Sequence, residues 1–67
     1  MKITAEGNDE SVIETMLIRE TEEAILIEGV DGDEVWLPLS QIEILEIKDC
    51  VCEVAVPNWL MTAKELV

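Results

Sequence analysis

The sequence predicts a mainly β fold of about five or six short antiparallel strands, with one short helix at the C-terminal end. Short apolar runs rich in β-branched residues recur along the chain, and turn-forming residues such as Asp31-Gly32 separate them. After Pro57 the apolar spacing changes from strand-like to helical. The most economical arrangement is a small, partly open β-barrel of the SH3-like or OB-like kind. At 67 residues the chain forms a single domain, residues 1–67, with a thin core.

Two strands are predicted in the N-terminal third. Residues 2–5 form a short first strand that ends at Gly7-Asn8-Asp9. Residues 12–19 form a second strand, because β-branched and aliphatic side chains dominate there. We expect Met16, Leu17 and Ile18 to be core residues of this strand. Glu20-Thr21-Glu22 predicts the turn that follows.

A β-hairpin is predicted over residues 24–37. Residues 24–30 are an apolar run too short for a stable helix, which indicates a strand buried on both faces. Asp31-Gly32 predicts a two-residue type I′ turn, because that turn needs positive φ at both central positions. Pro38 has no N–H to donate to a neighbouring strand, so it should end this strand or lie on an edge.

The second half of the chain predicts another pair of strands. Ser40-Gln41-Ile42-Glu43 matches a helix capping box. The apolar run after it is short, so we favour a single tight turn at Ser40 and a strand over residues 42–48. Glu46 interrupts the alternation, which indicates a β-bulge there. Asp49-Cys50 then predicts a turn into a last strand over residues 51–56.

The C-terminal segment predicts a short helix. Asn58 follows Pro57 and is a favourable N-cap, and apolar side chains recur after it at helical spacing. We expect Trp59 to be a core residue that docks this helix on the sheet. Trp36 lies between acidic residues and Pro38, and the sequence leaves open whether it is a core residue or an anchor for a binding partner.

The chain is strongly acidic: 16 Asp and Glu residues against four Lys and Arg residues, with no His, give a net charge of -12. The acidic residues alternate with Ile, Val and Leu, and 49% of all residues are apolar, so we expect a folded domain with an anionic surface. Direct binding of nucleic acid or of anionic membranes is disfavoured, because both require clustered Lys and Arg. The aliphatic content exceeds what so small a core readily buries, which predicts a homo-oligomer or a complex with another protein.

The sequence also predicts where the protein resides. It contains no apolar run of 18 or more residues, and residues 1–6 lack the apolar stretch of a signal peptide. We therefore expect a cytoplasmic protein that does not insert into a membrane.

No segment carries a catalytic or metal-binding signature. Cys50 and Cys52 are two residues apart in sequence, a spacing that favours free thiols over a disulfide in a strand, and without His the chain lacks the donors of a closed zinc site. We expect both cysteines to be small, buried apolar residues. Asp31-Gly32-Asp33-Glu34 lacks the further ligands of a calcium loop, so a plain turn is the preferred interpretation. The acidic residues between positions 20 and 23 are expected to form a solvated corner rather than a catalytic pair. We expect no enzymatic activity, no metal and no cofactor.

Two segments carry a resemblance to known sequences. Residues 34–42 read Glu-Val-Trp-Leu-Pro-Leu-Ser-Gln-Ile, and residues 54–60 read Val-Ala-Val-Pro-Asn-Trp-Leu, with Lys64 shortly after them. Preceded by an apolar strand, they resemble small uncharacterised proteins of phages and prokaryotes that combine a Trp-Leu/Ile-Pro-x-Ser-Gln-Ile segment with a C-terminal Pro-x-Trp-Leu helix. Leu39 departs from the Lys expected before the Ser. The resemblance implies a phage or mobile-element origin and no particular biochemical activity.

These observations lead to two hypotheses of function. The first is an acidic protein-binding module that inhibits a host nucleic-acid-binding protein, such as a nuclease or a CRISPR complex, by nucleic-acid mimicry in the host cytoplasm. The second is a structural or accessory subunit that self-assembles through an apolar face, with the acidic residues serving solubility. The candidate contact residues for a protein partner with a basic surface are Glu20, Glu22, Glu23, Asp31, Asp33, Glu34, Trp36, Glu43 and Glu46.

Overall fold

Six antiparallel strands and one short C-terminal helix make up the fold, which confirms the predicted mainly β class. The computed structural model describes residues 1–67. The elements are β1 (Lys2–Glu6), β2 (Glu10–Glu20), β3 (Ala24–Glu28), β4 (Glu34–Pro38), β5 (Glu43–Lys48), β6 (Val51–Pro57) and α1 (Asn58–Ala63). A single 3-10 turn, Leu39–Gln41, connects β4 to β5.

The strands form one open sheet in the order β4-β3-β2-β6-β5, and β1 also pairs with β2. The long strand β2 organises this sheet. Its N-terminal half pairs with both β1 and β6, and its C-terminal end pairs with β3. The sheet does not close into a barrel, so β4 and β5 each have only one neighbouring strand. These two strands are therefore the free ends of the sheet, and Pro38 lies at the end of one of them, as predicted.

The core lies on one face of the sheet and under the C-terminal segment. Its fully buried side chains come from alternate positions of the strands, as the pleat requires, and from the residues that follow β6. They are Ile13, Ile25, Ile27, Leu37, Cys52, Val54, Val56, Met61 and Leu66, joined by the nearly buried Leu60. The predicted burial of β3 on both faces is confirmed, since Ile25, Leu26 and Ile27 are all buried.

Two polar side chains point inward from β2, and both are satisfied. The hydroxyl of Ser11 donates a hydrogen bond to Oδ1 of Asn58 over 2.8 Å. The hydroxyl of Thr15 donates to the backbone carbonyl of Glu28. A buried polar group without a partner is costly. These two hydrogen bonds therefore allow Ser11 and Thr15 to occupy inward positions of β2.

The short connections largely follow the prediction. At the β2–β3 turn the Thr21 hydroxyl donates to the carbonyl of Ala24 at 2.9 Å and accepts from its N–H at 3.1 Å. The capping-box sequence at Ser40 forms only the 3-10 turn, as favoured above. The predicted bulge in β5 is also present, as a register shift between Ile44 and Glu46 that leaves Leu45 unpaired.

The β3–β4 hairpin is confirmed, but its turn is not the predicted type I′. The N–H of Gly32 donates to the carbonyl of Gly29 at 3.2 Å, and the N–H of Gly29 donates to the carbonyl of Asp33 at 2.7 Å. Within this turn only Gly32 has positive φ, at 82°, whereas a type I′ turn would require it at Asp31 as well. The loop is thus a three-residue connection that ends in a left-handed glycine.

The C-terminal helix docks differently from the prediction. Trp59 was expected in the core but is 59% exposed, because Leu60 and Met61 occupy the inward positions of this single helical segment. Asn58 does not cap the helix. Its side-chain amide instead donates to the carbonyls of Gly7 and Asn8 at 3.0 and 3.2 Å, and so ties the β1–β2 turn to the start of α1.

Two further core predictions in β2 are wrong. Met16 is 48% exposed, because the inward positions Ile13 and Thr15 place it on the opposite face. Ile18 is 43% exposed at the register shift between Leu17 and Arg19. Only Leu17 of this apolar triplet packs against the core.

Candidate protein-binding surface

A row of like charges crosses the sheet on the face that points away from the core, here called the outer face. Glu14 in β2 is the direct cross-strand partner of Glu53 in β6, and Glu53 is the partner of Glu46 in β5. We call these three residues the acidic row. Lys2 in β1 pairs with Glu14 and ends the row on that side. Like charges in directly opposite positions destabilise a sheet, so the row opposes folding rather than assisting it.

Local sequence explains why these side chains share a face. Alternation places Ile13 and Val54 in the core, so their neighbours Glu14 and Glu53 must point outward. The third member depends on the bulge in β5. Without a bulge, the register that pairs Ile44 with Val54 would place Leu45 opposite Glu53. The bulge shifts the alternation and brings the Glu46 carboxylate into the row instead.

The acidic row lies along a shallow groove of about 250 Å³. We call this groove the acidic trough, and its lining residues are Glu14, Glu46, Lys48, Asp49, Val51 and Glu53. Four carboxylates face a single ammonium group there. None of the side-chain hydrogen bonds in the structure uses a carboxylate. The trough is therefore a concave anionic surface whose acceptor oxygens are free to bind a cationic partner.

Exposed apolar side chains border the trough. Val51 is 41% exposed and is the cross-strand partner of Met16 on one side and of Lys48 on the other. Leu45, the bulge residue next to Glu46 in β5, is 46% exposed. Acidic groups beside apolar ones are the composition expected of a surface that binds both the charge and the aliphatic part of Lys or Arg side chains.

The nine sequence-predicted contact residues do not form one site. Three of them, Glu20, Glu22 and Glu23, lie at the β2–β3 turn, and three others, Asp31, Asp33 and Glu34, lie at the opposite end of the β3–β4 hairpin. Glu22 and Glu23 line a second, more open groove together with Pro38, Leu39 and Ser40. Only Glu46 belongs to the acidic row, while Glu43 lies on the same face of β5 opposite Ala55.

Three acidic residues of the trough were missed at the level of sequence: Glu14, Asp49 and Glu53. The alternation of Ile13 with Glu14 and of Glu53 with Val54 signals that both acids face away from the core. What the alternation does not contain is the strand order. The juxtaposition of β2 and β6 comes from pairings between residues that are about 40 positions apart in the chain, and β5 joins them as the hairpin partner of β6.

Trp36 lies elsewhere, on the edge strand β4. Its cross-strand partner is Leu26, which is buried although it is not part of the core cluster. Arg19 of β2 is the partner of Leu26 on its other side. Trp36 is itself 42% exposed, so it is a half-buried side chain on the outer side of the hairpin, and its role as an anchor stays a prediction.

The two cysteines are free thiols in different environments. Cys50 is exposed in the β5–β6 turn, contrary to the expectation that both cysteines are buried, while Cys52 is fully buried on the core face. Desolvation by burial raises the pKa of the Cys52 thiol, and a backbone hydrogen bond opposes this only in part. The inner thiol is therefore held in its neutral form.

Neither a cluster of metal-ligating residues nor a similar known protein is found for this chain. No group of three or more His, Cys, Asp or Glu residues is arranged to hold a metal ion. The structure contains no helix with the length and apolar character needed to cross a bilayer. No protein-family model, no curated protein and no solved structure matches this chain.

Proposed function

We propose that this domain is an acidic protein-binding module that occupies the basic, nucleic-acid-binding surface of a partner protein. The observation that carries the proposal is the acidic row, in which Glu14, Glu53 and Glu46 stand in direct register across three adjacent strands. The row lies on a hydrogen-bonded sheet, so the backbone positions from which its carboxylates extend are fixed relative to one another. A rigid array of charge requires less ordering on binding than a flexible acidic tail does.

The spacing of the row supports nucleic-acid mimicry. Neighbouring strands are about 4.8 Å apart, whereas one strand of B-DNA carries a phosphate every 3.4 Å or so along its axis. The linear charge density of the row is thus of the same order as that of one nucleic-acid strand. A basic channel that binds phosphates by Lys and Arg would also attract this surface, and the net charge of -12 would steer the encounter.

The energetic cost of the row favours a binding role over a role in solubility alone. Each directly opposed pair of like charges costs about 0.2–1 kcal/mol, which is appreciable for a domain whose total stability is on the order of 3–10 kcal/mol. Solubility needs net charge but not direct opposition. Acidic residues spread over turns, such as Glu22 and Asp31, would serve solubility equally well.

The class of target is the second part of the proposal. The resemblance at residues 34–42 and 54–60 supports a phage or mobile-element origin. For such a protein the natural targets are host nucleic-acid-binding proteins, including nucleases and CRISPR complexes, and the effect is inhibition.

Affinity capture from a bacterial lysate, with mass spectrometry of the retained proteins, tests the proposal. We expect nucleic-acid-binding proteins to be retained at about 50 mM salt and released at about 500 mM, since screening weakens charge-driven contacts. The variant Glu14→Gln/Glu53→Gln should lose these proteins. The matched variant Glu20→Gln/Glu22→Gln has the same net charge but an intact row, and it should keep them. Equal capture by both variants would contradict a specific role of the row.

Self-assembly through an apolar surface is the second candidate function, and the exposure of Met16, Leu45, Ile47 and Val51 favours it. Two copies of charge -12 repel each other. Self-assembly should therefore strengthen as salt screens this repulsion, opposite to the behaviour of a complex with a basic partner. Sedimentation equilibrium at the two salt concentrations distinguishes these cases.

A further inference from the structure

The strand β5 has a free edge. It pairs only with β6, and it is the last strand of the sheet on that side. A free edge presents unpaired N–H and C=O groups that can accept another strand. Leu45 and Ile47, which are both nearly half exposed, lie on this strand.

The other two edges are less suited to pairing. At the opposite end of the sheet, β4 ends in Pro38, which has no N–H to donate. The strand β1 also has a single partner, but none of its residues is a large exposed hydrophobic side chain. The β5 edge thus combines two exposed apolar side chains with a strand that contains no proline, whereas β4 offers one, Trp36, beside Pro38.

Charge selects what can occupy this edge. Glu43 and Glu46 project from β5 on the outer face, and the rest of the acidic trough lies directly behind them. Acidic side chains on an edge disfavour pairing with a second copy of charge -12. The same side chains favour a strand that carries positive charge, so the edge discriminates between the two occupants.

We propose that the β5 edge binds an extended, basic segment of the partner protein, which adds to the sheet as a further strand. This inference rests on the proposed function and names its binding mode. The added segment alternates Lys or Arg with apolar residues. Its basic side chains lie on the outer face beside Glu43 and Glu46, and its apolar side chains lie on the other face beside Ile44 and Ile47.

The geometry of β5 sets the length and the contacts of this segment. Six residues of strand span about 20 Å, which accommodates a partner segment of about six residues. A strand added at about 4.8 Å places its basic side chains opposite Glu43 and Glu46, and a long Lys or Arg side chain also reaches the diagonal positions. Backbone hydrogen bonds then supply affinity, and the alternation of side chains supplies specificity, as in other cases of strand addition.

Synthetic peptides test strand addition directly. The probe is acetyl-Lys-Val-Lys-Val-Lys-Val-Lys-amide, and the control is the same peptide N-methylated at its three central residues. The control peptide keeps every charge, but its three central backbone nitrogens cannot donate hydrogen bonds to a neighbouring strand. We expect the probe to bind at least tenfold more tightly than the control, and to slow amide hydrogen exchange in residues 43–48.

A matched pair of protein variants locates the site. Glu46→Lys on β5 should weaken the binding of the probe about tenfold or more. Glu34→Lys makes the same change of charge on the opposite edge strand, β4, and should leave binding within about twofold. The comparison of the two peptides on the unmodified protein needs no variant, so it stands even if one variant folds poorly.

The outcomes separate this inference from the proposed function. If the two peptides bind with equal affinity, charge alone accounts for their binding and strand addition is wrong. The proposed function is still supported in that case, provided that capture of partner proteins depends on the acidic row. Protection in β4 rather than β5 overturns the inference in the same way. Protection of residues 43–48 that grows with protein concentration in the absence of peptide assigns the edge to a second copy and also overturns it. If neither peptide binds and capture also fails, both proposals fall.

Discussion

The two faces of the sheet region formed by β1, β2, β6 and β5 are built from neighbouring residues and have opposite effects on folding. One cross-strand row on the core face consists of Ile3, Ile13, Val54 and Ile44. The adjacent row on the outer face consists of Lys2, Glu14, Glu53 and Glu46. The first row stabilises the fold by burial, whereas the second opposes it by repulsion. In this domain, stability and the candidate function therefore belong to different faces and can be changed separately.

The largest effect is expected from the core face. Ile13→Ala removes a fully buried side chain and should lower the free energy of unfolding by about 3 kcal/mol, from lost burial and a residual cavity. Glu14→Ala, its neighbour on the exposed face, should change stability by less than about 0.5 kcal/mol. Urea unfolding of both variants measures the two values. A larger loss for Glu14→Ala than for Ile13→Ala would show that the assignment of faces is wrong.

The cysteines provide a second contrast between inside and outside. Burial raises the pKa of the Cys52 thiol above its ordinary value of 9.0, so the folded state keeps a proton that the unfolded state releases. The associated stability is fully present below pH 9 and is lost as the pH rises through the raised pKa. In Cys52→Ala, the free energy of unfolding should therefore decrease less between pH 8 and pH 11 than it does in the unmodified protein. Denaturant unfolding at a series of pH values measures this difference.

Thiol labelling checks the same contrast directly. Cys50 is exposed and should react with an alkylating reagent about 100-fold or more faster than Cys52, which requires the chain to open. Cys50→Ser supplies the control, since it should remove the fast phase only. Similar rates for both thiols would contradict the burial of Cys52.

The elements of this fold follow from local patterns, whereas the candidate site depends on long-range pairing. Apolar alternation and turn residues suffice to predict the strands to within about two residues, and the presence and start of the terminal helix, because these signals lie within each element. The bulge in β5 is also visible locally, since Glu46 interrupts an apolar run. The turns at Thr21 and Ser40 are likewise predicted from the residues immediately around them.

The errors arise where a side chain is placed by distant parts of the chain. Asn58 is a good N-cap by local rules, but its Oδ1 accepts from the Ser11 hydroxyl and its amide N–H groups donate to the β1–β2 turn. Trp59 fits the helical spacing of apolar residues. In a helix of only six residues, however, Leu60 and Met61 occupy the buried positions, and Trp59 stays exposed. The acidic row requires the order of β2, β6 and β5, which no single segment specifies.

The row itself gives the next prediction. Glu53 stands opposite two like charges, Glu14 and Glu46, so Glu53→Gln should raise the free energy of unfolding by about 0.5–1 kcal/mol at low salt. The gain should fade near 1 M salt, where the Debye length is about 3 Å. Glu22→Gln, in the β2–β3 turn, is the control for net charge and should give a smaller gain. A loss of stability in Glu53→Gln would show that the row is not repulsive.

The smallest effect is expected at Asp49, where the turn and the trough meet. Asp49 has a φ of 57°, a conformation in which glycine carries no steric penalty, so Asp49→Gly should stabilise the β5–β6 turn by about 0.5 kcal/mol. Asp49→Asn removes the charge but keeps a side chain, so it separates the two contributions. If the turn alone matters, only the glycine variant gains stability and neither variant changes partner capture. If the trough binds a basic partner, both variants lose affinity for it by a similar factor. The acidic residue at this positive-φ position then serves binding on the outer face rather than the stability of the turn.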